Sequence, residues 1–597
     1  MNEARSVKWE GTRRWYLAVL LVVAMIAALV TPMPSSADDS PLLQVIVEKT
    51  SGADGSVEQL VEMLGGTVLT DLPIINGFSA QLPAASVSSL RTNRSVSNVT
   101  LNDSIQLTNA GWGDASSLGA YNPNTFDGSM YRVAESIIKA TDYWNTGYTG
   151  AGIDIALIDS GVVPVEGLLQ PGKVVNGPDL SFESQADNLR YLDTFGHGTH
   201  MAGIIAGRDT GAAITKSNTS SFLGVAPGSR IVSLKVADAH GATDVSQILA
   251  AIDWVVQHRT DNGMNIRVLN LSFGTDSTQS YTLDPIAFAV EQAWNAGIVV
   301  VVASGNDGNS ARLRNPAADP FVIAVGSSES AKSRAALSSV MDFSNCGTQQ
   351  RHVDLVVPGQ SIVSLRSPGS TADTDFPKAR VGSRLFLGSG TSQSAAIVSG
   401  MAALILDERP GATPDQVKAL LMGSTLNLKK ASSLCQGAGV PTLDKVLGKS
   451  NPIAVQSFQP STGTGSLESA RGSSRIYDQG APLVGEQDIF GMPWDGQTWA
   501  QASAAGFSWS GGSWNGSQWT GLSWSGLSWS GLSWSGLSWS GLSWSGLSWS
   551  SRLWSDATWS GLSWSGLSWS GLSWSGLSWS GNVWHGVSWD SARPGFL

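Results

Sequence analysis

A chain of 597 residues is too long for one ordinary core, so two or more domains are expected. Lys and Arg number 36 against 47 Asp and Glu, a net charge of −11, and no basic run occurs beyond the N-terminus. Without clustered cations to displace phosphate counterions, nucleic acid is excluded as a partner.

Arg13 and Arg14 precede an apolar run over residues 16–30, and Ser35-Ser36-Ala37 follows. A basic head, a greasy stretch and small residues at −3 and −1 read as a secretory signal over residues 1–37. The run has 15 residues, against the ~20 of a spanning helix, so an uncleaved anchor is the lesser reading. The protein is expected to be secreted or attached to the cell surface.

Residues 38–103 read as a small α+β domain. Segments 42–47, 67–72, 77–81 and 96–101 have strand character, whereas 56–64, with Ser56 as cap, and 84–92 have helical spacing. The order β-α-β-β-α-β is the split βαβ, or ferredoxin-like, arrangement. Between an export signal and an enzyme, such a unit suits a chaperone and inhibitor; an ordinary accessory domain is the alternative. Residues 104–130 read as a processing linker.

From 131 to 450, continuous apolar segments at 153–159, 231–237, 267–272, 298–304, 321–326 and 354–358 read as buried strands. Helical segments such as 245–258 and 285–296 separate several of them. That alternation predicts an α/β domain, a parallel sheet covered by helices on both faces. Functional residues of such sheets collect at the carboxyl ends of the strands.

Residues 451–505 are rich in Ser, Gly, Gln and Pro and read as a linker. Over 506–597 a Trp recurs at every fifth position from Trp509 to Trp589, mostly as Ser-Gly-Leu-Ser-Trp, and Trp494 and Trp499 share the phase. Each Trp carries roughly 150–250 Å² of apolar area, so a tract left in water would associate. Self-packing into a coil of short extended segments ranks first. Docking onto cell-envelope polysaccharide ranks second and an unstructured, sticky tail third.

Three distant motifs carry the parts of a proton relay: Asp159-Ser160-Gly161, Gly196-His197-Gly198-Thr199-His200 and Gly390-Thr391-Ser392. A serine hydroxyl attacks an acyl group only when a base takes its proton, and the base needs a carboxylate to fix its tautomer. Alone, Ser392 would read as a helix cap before the apolar segment that runs to Leu406. With Asp159 and His197 upstream it reads as a nucleophile. His200 competes for the base role, but the flanking glycines leave His197 more open. Cys346 and Cys435 are the only cysteines. In an exported chain they read as one disulfide, with two buried thiols as the alternative.

The three motifs resemble those of the subtilisin-like serine proteases, which share the order Asp, His, Ser. Further matches span most of residues 131–450: Gly224-Val225-Ala226-Pro227-Gly228, Leu269-Asn270-Leu271-Ser272-Phe273-Gly274 and Ala303-Ser304-Gly305-Asn306. Pro316-Ala317, Val322-Ile323-Ala324-Val325-Gly326 and Val357-Pro358-Gly359 add to them. The resemblance implies a nucleophile at Ser392, a general base and acid at His197 and an orienting carboxylate at Asp159. It implies an oxyanion donor at Asn306, and a specificity pocket walled by Ser272, Phe273 and Gly274 with Ala303, Ser304 and Gly305. Residues 42–103 likewise resemble the family's inhibitory propeptide, including Asn76-Gly77-Phe78-Ser79-Ala80. The chain departs from the family at Gln393, Ser394 and Ala396, and at Thr275, where a glycine is common.

The function these features imply is a secreted serine endopeptidase, made as a precursor inhibited by its own propeptide and acting on proteins or peptides. The rival reading is an adhesive surface protein of weak or absent activity that works through its Trp tract. No cofactor is required; the resemblance allows calcium, but no metal site is assignable from acidic residues.

Overall fold

The structure is a computed structural model. It describes residues 42–50, 55–72, 77–101, 111–116, 121–184, 186, 188–478, 481–510 and 513–518, with four short strands between 557 and 584. The expected signal and most of the Trp tract lie outside the described residues. Two compact units divide the chain, residues 1–99 and 100–597.

In the first unit, β1 (Leu42–Lys49), α1 (Ser56–Met63), β2 (Thr67–Leu72), β3 (Gly77–Pro83), α2 (Val87–Arg91) and β4 (Val96–Leu101) follow in the expected order. They build a sheet of order β2-β3-β1-β4. Strand alternation sets Val45 and Val47 opposite Ala80 and Phe78, all buried, and α1 adds Val57 and Val61. Gly55, already near-helical at φ −71° and ψ 11°, takes the cap position expected of Ser56, which becomes the first helical residue.

The second unit opens with β5 (Gly111–Trp112). Strands β6 (Asp154–Asp159), β7 (Val174–Asp179), β8 (Arg230–Lys235), β9 (Ile266–Leu271), β10 (Val299–Ala303), β11 (Ile323–Ser328) and β12 (Leu355–Pro358) form its main sheet. Their order is β12-β11-β10-β9-β6-β8-β7, and every neighbouring pair is parallel. Every residue of β6, β10, β11 and β12 is buried, as continuous apolar runs require. Strand β7 escapes sequence reasoning because Val-Val-Asn-Gly-Pro-Asp has no such run; it lies at the sheet edge with an irregular register.

The helices that matter here are α3 (His197–Ala206), α4 (Val245–His258), α5 (Pro285–Asn295) and α6 (Thr391–Glu408). Residues 391–406 of α6 are buried on every side, so that helix shows no polar face. A small sheet of β13 (Ile362–Leu365), β14 (Arg380–Val381), β15 (Leu385–Ser389) and β5 leads through Gly390 into α6. A disulfide joins Cys346 to Cys435 with Cα atoms 4.3 Å apart.

The stretch expected as a linker instead packs against this core. Ser461 N–H donates to the Glu291 carboxylate on α5 at 2.9 Å. In α7 (Leu467–Arg471), Arg471 is fully buried and donates to Asp244, the cap of α4, at 2.7 Å. From α8 (Gly496–Ala504) and beyond, the indoles of Trp499 and Trp514 donate to Asp253 at 2.9 and 2.8 Å, and Ser503 donates at 2.6 Å. Burial raises the Asp253 carboxyl above its ordinary value despite these donors. The first rungs of the Trp ladder are thus core residues. Farther on, Ala557–Trp559 pairs with Asn582–Trp584, and Ser568–Trp569 with Leu572–Ser573. No described helix is long and apolar enough to cross a membrane.

Candidate active site

Asp159 is the last residue of β6 and His197 the first of α3. Nδ1 of His197 lies 2.8 Å and 2.9 Å from the two Asp159 carboxylate oxygens, and both residues are at most 1% exposed. That bond assigns the Nδ1–H tautomer and leaves Nε2 as the basic atom. Among the described residues, Nε2 has no hydrogen-bond partner.

The approach of helix to strand depends on Gly198. A Cβ there would collide with the Gly161 carbonyl and come within 3.2 Å of the Asp159 carboxylate. Gly196 has φ +107°, in the region glycine favours. Sequence reasoning took these glycines to leave His197 open; in the structure Gly198 seats the imidazole on its carboxylate. A second carboxylate, missed in the sequence, fixes the same corner. Asp193 accepts from Gly196 N at 2.6 Å, Thr199 N at 2.7 Å and Ser160 Oγ at 2.7 Å. Burial raises its pKa. No motif marks it, because it is a lone Asp in an irregular loop.

His200 is set apart from His197. It is fully buried with Nε2 3.2 Å from the Phe386 carbonyl, and burial, followed by repulsion from His197, lowers its pKa to about 3. A neutral structural histidine results.

Ser392 is the second residue of α6, after the extended Gly390. The first N–H groups of a helix lack intrahelical acceptors and carry the positive end of its dipole. Ser392 Oγ donates to the Ser272 carbonyl at 3.3 Å, which places the end of β9 beside the hydroxyl. Asn306 reaches the same helix start. Its Oδ1 accepts from Thr391 N–H at 3.0 Å and from the Thr391 hydroxyl at 3.1 Å. Its buried Nδ2 has no partner among the described residues.

Ser272 and Phe273, after β9, and Ala303 and Ser304, at the end of β10, are fully buried. Gly274 and Gly305 border a residue that sequence reasoning passed over, Arg314. A Cβ on Gly274 would come within 2.7 Å of Arg314 Cβ, and one on Gly305 within 2.9 Å of its Cγ. The Arg314 guanidinium, bonded to Asp307 at 2.7 and 2.5 Å, holds that carboxyl below the usual range.

The departures from the family pattern have partners of their own. Ser394 donates to the Val357 carbonyl at 3.0 Å, and Thr275 donates to Ala470 of α7 at 2.7 Å. Ala396 is a buried residue of a regular helix. Gln393 is fully buried with neither amide atom bonded among the described residues. Among those residues no group of three or more His, Cys, Asp or Glu could hold a metal ion.

A parallel α/β sheet with an Asp–His pair, a serine at a buried helix start and an asparagine amide beside it defines the class of serine hydrolases built on open sheets. The subtilase family model matches residues 150–448, and the chain belongs to that family. It is 35% identical over 299 residues to the serine protease AprX of Bacillus subtilis (strain 168), across 49% of this chain and 65% of AprX. It is 34% identical over 315 residues to the subtilisin of Bacillus pumilus, across 51% of this chain and 94% of that protein. The minor extracellular protease Epr of Bacillus subtilis (strain 168) is 30% identical over 294 residues, 38% of its length. The chain thus spans less than two thirds of AprX and of Epr.

Proposed function

We propose that this protein is a secreted serine endopeptidase, made as a precursor that its own residues 38–103 inhibit. The observation that carries the reading is a pair of buried nitrogens without partners among the described residues, Nε2 of His197 and Nδ2 of Asn306. Leaving two such groups unbonded costs about 1–3 kcal/mol each. A reacting peptide group offers both a partner: a proton to accept and an oxyanion to receive a hydrogen bond.

The chemistry then runs on this chain's own groups. His197 Nε2 takes the proton of Ser392 Oγ as the oxygen attacks the carbonyl carbon, and Asp159 stabilises the imidazolium through Nδ1–H. Asn306 Nδ2 and the Ser392 backbone N–H hold the oxyanion. The C–N bond breaks as His197 passes its proton to the departing amine. Water, activated the same way, releases the acyl group and restores Ser392. Substrate lies as an extended peptide along Ser272–Gly274, with a side chain between that segment and Ala303–Gly305.

The first unit's independent fold supports an inhibitory propeptide, and residues 13–37 support export. The reading is tested by incubating the processed protein with casein, with and without a serine-directed covalent inhibitor. Inhibitor-sensitive cleavage that Ser392→Ala abolishes is expected; cleavage equal in the variant refutes it. Envelope polysaccharide as a target of the tract is a separate proposal. Equal envelope retention of the full chain and of one ending at residue 518 refutes it.

A further inference from the structure

The family model ends at residue 448, and the chain beyond it returns to the segment on which substrate is laid. Past Ser272-Phe273-Gly274 the backbone runs on through Thr275 and Asp276, which two other parts of the chain hold. The first is Asn315, whose backbone exchanges hydrogen bonds with that of Thr275, each at 2.9 Å. The second is the end of α7. The buried Thr275 hydroxyl donates to the Ala470 carbonyl at 2.7 Å. Ser473 donates to the Asp276 carboxylate through both its N–H and its hydroxyl, each at 2.6 Å.

Two features fix α7 where it meets this segment. Gly472 adopts φ +63° and ψ −127°, a backbone that favours glycine, and a Cβ there would lie 2.1 Å from Asp276 Oδ1. The buried guanidinium of Arg471 bonds Asp244 at the cap of α4, and also the Gly485 and Gln487 carbonyls at 2.8 and 2.6 Å. A buried cation is costly to move away from its partners, so α7 keeps its register against Asp276.

Thr275 stands where the family commonly has glycine, which offers no hydroxyl. Ala470, which accepts from it, lies outside the matched residues. The departure and the added chain therefore make one contact between them. Ser272 marks the near end of the segment, since its carbonyl accepts from Ser392 Oγ. Three residues of extended chain span roughly 10 Å, so Thr275 lies at the end far from the nucleophile.

Resting on the endopeptidase reading, in which substrate lies along Ser272–Gly274, we propose that residues 470–473 are a positioning brace for that segment. Ala470 and Ser473 act as positioning residues, through Thr275 and Asp276. They hold the far end of the segment, where substrate residues remote from the scissile bond pair with it. A substrate with several residues on its acyl side uses that end. One with a single residue there uses only the pocket and Ser392. The brace therefore selects for extended chains, and it is carried by residues outside the matched family domain.

Two measurements on the processed protein test this. The first compares two chromogenic anilides that share the residue at the scissile bond and carry one or four acyl-side residues. Thr275→Val combined with Ser473→Ala lowers the ratio of kcat/KM, long over short, roughly tenfold and through KM, the worth of one or two hydrogen bonds. Ser473→Ala alone, at a half-buried position, moves the ratio the same way by less. Thr275→Ser, which keeps a hydroxyl, stays near the parent ratio. A ratio unchanged in the double variant overturns the proposal, and so does a loss confined to kcat and equal for both anilides.

The second measurement needs no activity. Amide hydrogen exchange over residues 273–277 of the Ser392→Ala protein quickens roughly tenfold when the two brace substitutions are added. Hydrolysis of both anilides with an unchanged ratio and unchanged exchange sinks the brace and leaves the endopeptidase standing. Quickened exchange with no hydrolysis by any form that has Ser392 sinks the endopeptidase reading and not the brace.

Discussion

The side-chain oxygen of Asn306 is held by both the backbone N–H and the hydroxyl of Thr391, the residue immediately before Ser392. One amide end is thereby spent on orientation and the other, Nδ2, is kept for a ligand. Asn306 and Ser392, the proposed oxyanion donor and nucleophile, are therefore registered to each other through adjacent residues of one helix.

Asn306→Ala is expected to lower kcat about 10²–10³-fold, the loss measured for an oxyanion-hole asparagine in a related protease. Thr391→Val removes the hydroxyl but keeps the backbone donor, so it should cost less and act on kcat rather than KM. Steady-state kinetics on one anilide substrate checks both. An effect of Thr391→Val confined to KM would count against its positioning role.

Gly198→Ala puts a methyl group against the Gly161 carbonyl and the Asp159 carboxylate. The helix must retreat, and His197 goes with it. A fall in kcat of more than tenfold with the folded far-UV spectrum kept is expected, because small displacements of a catalytic base are costly. A fully active Gly198→Ala protein would show that the corner tolerates the shift.

Arg314 borders both glycines of the predicted pocket walls and neutralises Asp307. Arg314→Ala enlarges that space and leaves the Asp307 carboxylate without its cation, held only by Asn345 Nδ2 at 2.8 Å. Preference should move toward larger or cationic side chains on the acyl side of the scissile bond, by about 10–200-fold in relative kcat/KM. A substrate panel varied at that one residue reads the change; an unaltered profile places Arg314 outside the pocket.

Glu291 of α5 holds Ser461 and faces Asp319. Burial raises Glu291 to about 7 and raises Asp319 as well, and the proximity of the two carboxyls adds to the rise on Asp319. In that window the folded state keeps protons that the unfolded state releases. The contribution is therefore fully present below the ordinary glutamate value and is lost as pH rises through about 7. Melting temperature should fall from pH 5 to pH 8, and Glu291→Gln, which keeps an acceptor for Ser461 N–H, should flatten that slope. Equal slopes in the two proteins refute the assignment.

The sheet and the Asp–His corner were legible in the sequence for related reasons. Strands β6 and β10 are mainly apolar and buried throughout, β9 is so except at Arg267, and the site residues sit at or just beyond strand ends and helix starts where small residues cluster. What escaped had no local signature. Thr391 and Asp193 act through bonds made only after distant segments meet. Residues 451–505 look like a tether because their composition is polar and glycine-rich. Their fixed points, Arg471 on Asp244 and Trp499 on Asp253, join positions 227 and 246 residues apart. Strand β5 is two residues long, too short for any periodicity.

Trp499 and Trp514 share one buried acid, and that arrangement decides where mechanical load would enter the molecule. A tract hung from a slack tether would let the catalytic unit swing freely around whatever holds the tail. Here Trp514, the last buried indole among the described residues, is bonded to Asp253 of α4. A pull that reaches Trp514 is delivered to that helix, two hydrogen bonds deep in the core, and not to a slack segment.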